Sequence, residues 1–342
     1  RPVSTMADVA RLAGVSVKTV SNVINGYPYI RDETRARVEQ AIEERGYEVN
    51  VTARNLRSGR TGMIGLAVPE LAQPYFAQLA DEVLAAARDH DLAVLIEPTG
   101  FSRAGEFGAL RGARRGLIDG LLFSPAVLVA TDLPTLDIGV PLVLLGEQIF
   151  SSDVDHVTMH NVDGARSATE LLIRVGRRRI AVLGAPGPDR GGSAVLRYEG
   201  YRRALADHGI PLDQRLVRPA GDAWHRANGA RAMASVLDAG GAPDGVVAFN
   251  DALAIGAMYE IQVRGLRIPE DVAVVGFDDT EDATFAVPSL TTVDAGRREI
   301  ARVAVDLLHR RIEERDQVQD PPVLHLADMR IVERSSTPAG VV

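Results

Sequence analysis

The sequence predicts a small all-α head followed by a two-lobed α/β body containing two doubly wound parallel sheets. Three observations support this fold class. Apolar residues recur at helical spacing from residue 5 to about residue 45. From Met63, short apolar runs alternate with amphipathic helical stretches, which is typical of parallel strands joined by crossover helices. The same alternation restarts near His156, and the 342-residue chain is long enough for two or three domains.

The head begins with two short helices around a turn. Thr5 is placed to cap a first helix, whose apolar face recurs at i, i+3, i+4 and i+7 between Met6 and Ala13. Gly14 supplies the backbone freedom that a helix C-terminus needs. Ser16 then starts a second helix, which ends at Asn25-Gly26, and a third helix is expected over Asp32–Arg45.

The outward face of the second helix carries small or polar side chains that a DNA major groove can admit. These residues are Val17, Lys18, Ser21, Asn22 and Asn25. A helix-turn-helix places the N-terminal residues of its second helix nearest the bases, so we expect Val17, Lys18 and Asn22 to read them. Thr34, on the third helix, is expected to contact phosphate. The alternative is an ordinary solvated helix face.

Asn50–Ser58 is long enough for only about two helical turns, which are marginal in water on their own. We expect this stretch to fold when two copies meet over DNA, with Arg54, Arg57 and Arg60 facing phosphates or groove walls. The alternative is a flexible linker.

The stretch ADVARLAGVSVKTVSNVING, followed by ETRARVEQAIEERGY, resembles the DNA-binding head of the lactose-repressor-type (LacI/GalR) family of bacterial transcriptional regulators. The resemblance continues through the hinge and over essentially the whole chain. It implies a homodimer that binds a pseudo-palindromic DNA operator, most often as a repressor, and a hinge helix whose Leu56 enters the minor groove. The DNA-contacting residues it supports are Thr5, Ser16, Val17, Lys18, Thr19, Ser21, Asn22, Asn25, Thr34, Asn50, Ala53, Arg54, Leu56 and Arg57.

The charge distribution fits a basic head on an acidic body. The chain has a formal net charge of -8, but residues 1–60 hold ten Arg or Lys against seven Asp or Glu, a net of +3, which leaves -11 for the remainder. The chain has no cysteine, no apolar run of membrane-spanning length and no signal segment at its start, so we expect a cytoplasmic protein.

The expected domains are a DNA-binding head at 1–49, a hinge helix and linker at 50–60, and an effector-binding and dimerisation domain at 61–342. By resemblance to this family and to periplasmic sugar-binding proteins, the late strands recross between the lobes. We assign about 61–160 and 292–324 to lobe 1, and about 161–291 and 325–342 to lobe 2. No heptad repeat follows Ser335, which favours a dimer over a tetramer.

Ligands of open parallel sheets bind outside the carboxyl ends of the strands, where this chain places polar and aromatic residues. The expected effector, a sugar or sugar derivative, would be held there by hydrogen bonds and aromatic stacking. The segments SAVLRYEGY, FNDALAIGA and GFDDTEDATFAVPSLTT also resemble effector-contacting segments of the family. The candidate residues are Gln73, Tyr75, Phe76, Ser124, Ser193, Arg197, Trp224, Asn250 and Asp278.

Each candidate has a simpler alternative. Arg197 is equally readable as an exposed helix arginine, Asn250 and Asp278 as helix or turn caps, and Trp224 as a core residue. The chain also departs from the family pattern. Gly146-Glu147-Gln148 stands where an Asp-Arg pair is common, His160 where Asp is common, and Asp294-Ala295 where a basic residue and Gln are common. We therefore do not expect a generic hexose specificity.

Two other classes of protein were weighed, a sugar-binding transport-type protein and a sugar-modifying enzyme. The head argues against the first. Against the second, no GxGxxG follows the first strand, and the phosphate-loop and GxSxG motifs are absent. His156 and His160, with Asp153 or Asp155, could bind a metal, but a structural role is the more plausible alternative. The sequence predicts no enzyme activity, cofactor or metal.

Overall fold

The computed structural model describes residues 4–24, 27–47, 60–151, 153–187, 191–221, 223–315 and 317–338. The chain divides into two compact units, Arg1–Thr61 and Gly62–Val342. Six predicted DNA contacts lie outside the described residues and stay predictions: Asn25, Asn50, Ala53, Arg54, Leu56 and Arg57.

The head contains three helices, α1 (Met6–Ala13), α2 (Val17–Ile24) and α3 (Asp32–Arg45). Each helix contributes one valine with no exposed surface to a single small core: Val9, Val20 and Val38. Amphipathic helices this short need such tertiary packing to be stable, because nucleation is costly relative to the few hydrogen bonds gained.

Local capping fixes the ends of the first two helices. The Thr5 side chain accepts from the Asp8 backbone N–H, and the Asp8 carboxylate accepts from the Thr5 N–H at 3.0 Å, which is a capping box. Gly14 ends α1 in the left-handed conformation at φ 63°. Ser16 Oγ accepts from the Thr19 N–H at 3.1 Å, so it caps α2 as the sequence predicts.

The body begins with a six-stranded, entirely parallel sheet, whose strands lie side by side in the order Leu324–Ala327, Asp155–Met159, Leu142–Leu145, Gly120–Phe123, Met63–Val68 and Ala93–Pro98. Its elements in lobe 1 are β1 (Met63–Val68), α4 (Pro74–Arg88), β2 (Ala93–Pro98), α5 (Arg103–Ala113), β3 (Gly120–Phe123), a 3-10 helix (Ala130–Leu136), β4 (Leu142–Leu145) and β5 (Asp155–Met159).

The second lobe contains a four-stranded parallel sheet in the order β7-β6-β8-β9. Its elements are α6 (Asn161–Arg174), β6 (Ile180–Leu183), α7 (Ser193–Asp207), a 3-10 helix (Gln214–Leu216), β7 (Val217–Arg218), α8 (Arg226–Asp238), β8 (Gly245–Ala248), α9 (Asp251–Val263), β9 (Ala273–Val275) and α10 (Glu281–Phe285).

The last segments are β10 (Thr292–Asp294), α11 (Arg297–Glu313), β11 (Leu324–Ala327) and β12 (Arg330–Val332). β10 and β12 pair antiparallel, and Ser336 beyond them bonds to Val274 in the second lobe through its backbone oxygen and its side chain. The chain therefore passes between the lobes after β5, around β10 and after β11.

One predicted lobe boundary is displaced by a few residues. We assigned residues 325–342 to lobe 2, but the first of them lie in β11, which pairs with β5 in the first sheet, from Leu324 opposite His156 to Ala327 opposite Met159. β5 itself joins the first sheet beside β4, within the range of about 61–160 that we assigned to lobe 1. Strand periodicity identifies a buried strand but not the sheet it joins, because the partner strand is remote in sequence.

Close helix packing in lobe 2 depends on glycine. A Cβ at Gly256 on α9 would lie 1.9 Å from the Arg226 carbonyl oxygen on α8, and one at Gly229 on α8 would lie 2.2 Å from the Leu253 oxygen on α9. These two helices can approach to backbone contact only because both positions lack a side chain. Within the described part of the chain, no helix is long and apolar enough to cross a membrane.

Candidate functional site

The first candidate site is the exposed face of α2. Val17 and Lys18 are exposed, and Ser21 and Asn22 are partly exposed, whereas Val20 and Val23 on the opposite face are buried. Positions 17, 18, 21 and 22 lie on one side of a helix because its period is 3.6 residues. The face predicted to read DNA is thus free of the head's own core.

The other residues of the described head that we predicted to contact DNA lie at the starts of helices. Thr5 belongs to the α1 capping box, and the Ser16 and Thr19 hydroxyls lie 2.9 Å apart at the start of α2. Thr34 is half-buried in the first turn of α3. Sequence reasoning overlooked Tyr29, which is 84% exposed and lies edge-on to Tyr27. No local signal marked it, because its sequence neighbours Tyr27, Pro28 and Ile30 are themselves aromatic or apolar.

The second candidate site is a cavity of about 140 Å³ in the body, at the carboxyl ends of strands from both sheets. Every residue predicted to contact an effector lines it: Gln73, Tyr75, Phe76, Ser124, Ser193, Arg197, Trp224, Asn250 and Asp278. The structure thus brings together positions spread over more than two hundred residues of sequence. A crevice at the carboxyl edge is where an open α/β sheet is expected to bind ligands.

Lobe 1 supplies an amide and two aromatic rings at the start of α4. Gln73 precedes Pro74, the first residue of that helix, and its Nε2 donates to the Trp224 carbonyl oxygen at 3.3 Å. Tyr75 and Phe76 pack edge to face with ring centroids 5.3 Å apart. Burial raises the pKa of the Tyr75 hydroxyl, so this group remains a neutral donor at physiological pH.

Arg197, on α7, is the central cation of the cavity wall. Its side chain donates to Asn161 Oδ1 at 2.7 Å and to the Phe249 carbonyl oxygen. The guanidinium lies 3.7 Å from the centroid of the Phe277 ring and 3.7 Å from the Asp278 carboxylate. Arg197 is only 4% exposed, so the reading as an exposed helix arginine is wrong.

Asn250 and Trp224 combine structural and lining roles. Asn250 Oδ1 accepts from the Leu253 N–H at 2.8 Å and caps α9, as its alternative reading predicted. Its Nδ2 donates to the Trp224 carbonyl oxygen at 3.0 Å, which fixes the Trp224 segment at the cavity. The Trp224 ring is half-buried and packs against Phe249, with centroids 6.0 Å apart.

Asp278 is 5% exposed, and it adopts φ 109°, a backbone conformation that L-residues rarely take. Burial raises the pKa of its carboxyl to about 8, and the positive charge of Arg197 opposes this shift. Arg297, the first residue of α11, donates to the carbonyl oxygens of Asp278 and Asp279 at 3.1 and 3.4 Å. Asp278 is therefore held by the lobe-crossing segments and faces the cavity.

The lining residues that the effector prediction omitted include Glu147, Gln148 and Phe101. Glu147 and Gln148 follow β4, where the sequence departs from the family pattern, and that departure was the signal. Phe101 carried no such signal. Gln148 reaches across to the start of α7, where a Cβ at Gly192 would lie 2.6 Å from its Oε1. The positive φ of 67° at Gly192 also requires glycine.

The histidines considered as metal ligands have other partners. His156 is buried in β5, its Nε2 contacts the Gly146 carbonyl oxygen, and burial lowers its pKa. His160 Nδ1 lies 3.2 Å from the Asp163 carboxylate at the start of α6. The structure shows no cluster of three or more His, Cys, Asp or Glu with metal-binding geometry in the described ranges.

Family models match both the head and the body of the chain. Residues 5–50 match the model of bacterial regulatory proteins of the lacI family, and residues 169–337 match a periplasmic binding protein-like domain. The chain is similar to the HTH-type transcriptional repressor PurR of Vibrio atlanticus (strain LGP32), with 31% identity over 335 residues that cover 97% of this chain and 98% of the relative.

Two solved structures are similar over nearly the whole chain. One is a complex of the transcriptional regulator CelR with cellobiose, at 32% identity and a TM-score of 0.72, covering 97% of this chain and 99% of that one. The other is the lac repressor dimer bound to operator and the anti-inducer ONPF, at 28% identity and a TM-score of 0.82, covering 98% and 100%.

These similarities define the class of protein: a helix-turn-helix head on a two-lobed, periplasmic-binding-protein-like body. The chain belongs to the lacI family of bacterial regulatory proteins. It is a DNA-binding transcriptional regulator rather than an enzyme.

Proposed function

We propose that the protein is a homodimeric repressor that binds a pseudo-palindromic operator and whose affinity for DNA is controlled by a sugar or sugar derivative in the body cavity. The observation that carries this proposal is the convergence of all nine predicted effector residues on one cavity. The similar lac repressor structure is a dimer on its operator, and the similar CelR structure contains cellobiose. We propose that the protein works in the cytoplasm, where an operator is accessible.

The chemistry of the cavity supports a carbohydrate. Amide, hydroxyl, guanidinium and carboxyl groups from Gln73, Ser124, Asn250, Arg197 and Asp278 line it, beside three aromatic rings. Such groups bond to hydroxyls, while aromatic faces cover the apolar side of a sugar ring. At about 10–15 Å³ for each water-sized group, the cavity has room for about ten such groups. We therefore propose an effector with the size of one sugar ring.

DNA contact is assigned to the exposed face of α2. Val17, Lys18 and Asn22 would read base edges, while Thr5, Ser16, Thr19 and Thr34 would position the head on phosphates. The free Lys18 ammonium suits guanine, and the Asn22 amide suits adenine. By family resemblance, Leu56 would enter the minor groove from the hinge.

Contacts that cross the cleft provide a means of coupling the two sites. His225 Nε2 lies 3.0 Å from a carboxylate oxygen of Glu70, and Gln73 donates to the Trp224 carbonyl oxygen. Both contacts join the segment after β1 to the segment before α8. A ligand that binds one lobe arrangement more tightly than the other shifts the population of arrangements. DNA and effector are then reciprocally coupled, typically by about 1–3 kcal/mol.

The test begins with the full chain. Selection from a randomised duplex library should yield a palindromic sequence, and a thermal-shift screen of sugars should yield a ligand. Adding that ligand should change affinity for the selected duplex, measured by fluorescence anisotropy at fixed salt. Asp278→Ala should bind the duplex as wild type does but lose the response. Selection of no sequence above random competitor, with and without sugars, would rule out the proposed function.

A further inference from the structure

The cavity wall carries two carboxyl side chains and one guanidinium. Among the lining residues described, the carboxyl groups are Glu147 and Asp278, and Arg197 is the sole cation. Arg197 lies 3.7 Å from Asp278, while two of its nitrogens are engaged by Asn161 and the Phe249 carbonyl oxygen. The guanidinium is therefore committed to Asp278 and these two oxygens, and Glu147 has no lining cation of its own among the described residues.

One carboxylate oxygen of Glu147 lacks a hydrogen-bond donor among the described residues. Its Oε2 is shielded from solvent and has no hydrogen-bond partner among the residues that the structure describes. A buried carboxylate oxygen without a donor is costly, because it has lost water and gained nothing in exchange. Since Glu147 lines the cavity, a bound ligand is the available source of a donor.

The charge of Glu147 extends over the cavity. Burial is the main reason that the pKa of Asp278 is raised, and the negative charge of Glu147 adds to the shift. The pKa of Tyr75 is raised in the same way, by burial first and by Asp278 and Glu147 next. The positive charges of Arg197 and Arg297 oppose both shifts, and Arg297 is not among the described residues that line the cavity. A positive ligand group beside Glu147 would be attracted by that carboxylate, and a negative one would be repelled.

The surroundings of Glu147 suit an ammonium group. An ammonium has three N–H donors and no acceptor, so it needs several acceptors at once. Ser124 and Gln148, whose side chains each carry an acceptor oxygen, line the same cavity as Glu147. A neutral hydroxyl would donate to one oxygen but bring no positive charge to Glu147.

We infer that the effector is an amino sugar whose protonated amine binds Glu147, and that Glu147 is the residue that selects it over the neutral parent sugar. This inference rests on the proposed function and deepens it by naming the class of ligand. The remaining polar groups of the cavity then bind the hydroxyls, and phosphorylated sugars and sugar acids are rejected.

Calorimetric titration of the full chain tests the inference with three matched pairs: glucosamine and glucose, galactosamine and galactose, mannosamine and mannose. In buffer of equal chloride concentration below the pKa of the amines, at least one amine should bind about tenfold or more tightly than its parent, the effect expected for one hydrogen bond to a charged group. The preference should disappear as pH rises through the pKa of the ligand amine.

Two variants separate a direct contact from a change in net charge. Glu147→Gln should weaken the preferred amine about tenfold while leaving its parent sugar within about threefold. Glu82→Gln removes a carboxylate that already has a partner, Arg298 at 3.4 Å, and should preserve the preference. Circular dichroism and thermal unfolding of both variants check that they fold.

The outcomes are distinguishable from failure of the proposed function. The inference is wrong, while regulation by a sugar stands, if a parent sugar binds as tightly as its amine or if Glu147→Gln keeps the preference. It is equally wrong if glucose 6-phosphate or glucuronate binds more tightly than either the amine or its parent. If no sugar of any charge binds the full chain, the assignment of the cavity to carbohydrates is itself overturned.

Discussion

Replacing Arg197 by Met should destabilise the body by about 4 kcal/mol, because a buried charge pair is broken while most of the apolar stem is kept. Arg197 is 4% exposed and lies 3.7 Å from Asp278. Its removal also deprives Asn161 Oδ1 and the Phe249 carbonyl oxygen of their donor. Each buried acceptor left without a donor costs about 1–3 kcal/mol, and breaking a buried ion pair costs about 3–5 kcal/mol in total.

The free energy of unfolding should be measured by urea denaturation of the full chain, following the transition of the body, at a constant pH above the pKa of about 8 of the Asp278 carboxyl, where the pair is charged. Arg203→Met is the matched control, because this arginine lies on the same helix, is 57% exposed and pairs with Glu199 at the surface, so it should remain near wild type. Adding Asp278→Asn to Arg197→Met should recover part of the loss, since no carboxylate is then left without its cation.

A loss below about 1 kcal/mol for Arg197→Met would refute the reasoning, because the guanidinium could not then be balancing a buried carboxylate. Equal losses with and without Asp278→Asn would refute the charge-pair part alone and leave the hydrogen bonds as the cause.

Three further predictions follow from other parts of the molecule. Burial raises the pKa of the Asp251 carboxyl to about 7. Between about pH 4 and 7, this carboxyl has therefore lost its proton in the unfolded chain but keeps it in the folded chain. The free energy of unfolding should fall as pH rises through this window. Asp251→Asn should flatten this fall in urea midpoints measured from pH 5 to 8, and an unchanged slope would show that other groups cause it. Gly256→Ala should lower the free energy of unfolding by about 1–3 kcal/mol or more, because its Cβ would lie 1.9 Å from the Arg226 carbonyl oxygen. Gly108→Ala is the control, because a Cβ there would have no atom within 4 Å, and it should be tolerated. Equal unfolding midpoints for the two variants would contradict the close helix contact. Lys18→Ala should cost about 1–3 kcal/mol of binding at one base position in anisotropy measurements on operator variants, and a uniform loss over all sequences would indicate a phosphate contact instead.

The residues of the cavity show why the sequence was informative about the site. A parallel strand carries a recognisable apolar run, and its carboxyl end is a fixed place in the fold. Ser124, Asn250 and Asp278 could therefore be assigned by counting from the ends of their strands, and the structure brings all three to one cavity. Arg197 lies on a helix, and its assignment was supported by family resemblance. Trp224 was proposed for its aromatic ring, which can stack on a sugar.

The sequence by itself determined the helical head, the alternation of strands and helices, and the positions that follow the strands. These features are local, since they depend on periodicity and capping within a dozen residues. Only the tertiary structure decided that the strand at Leu324 joins the first sheet, that Arg197 is buried beside Asp278, and that Glu147 Oε2 lacks a partner. Each of these depends on groups that are remote in sequence and meet only through packing, which local periodicity does not encode.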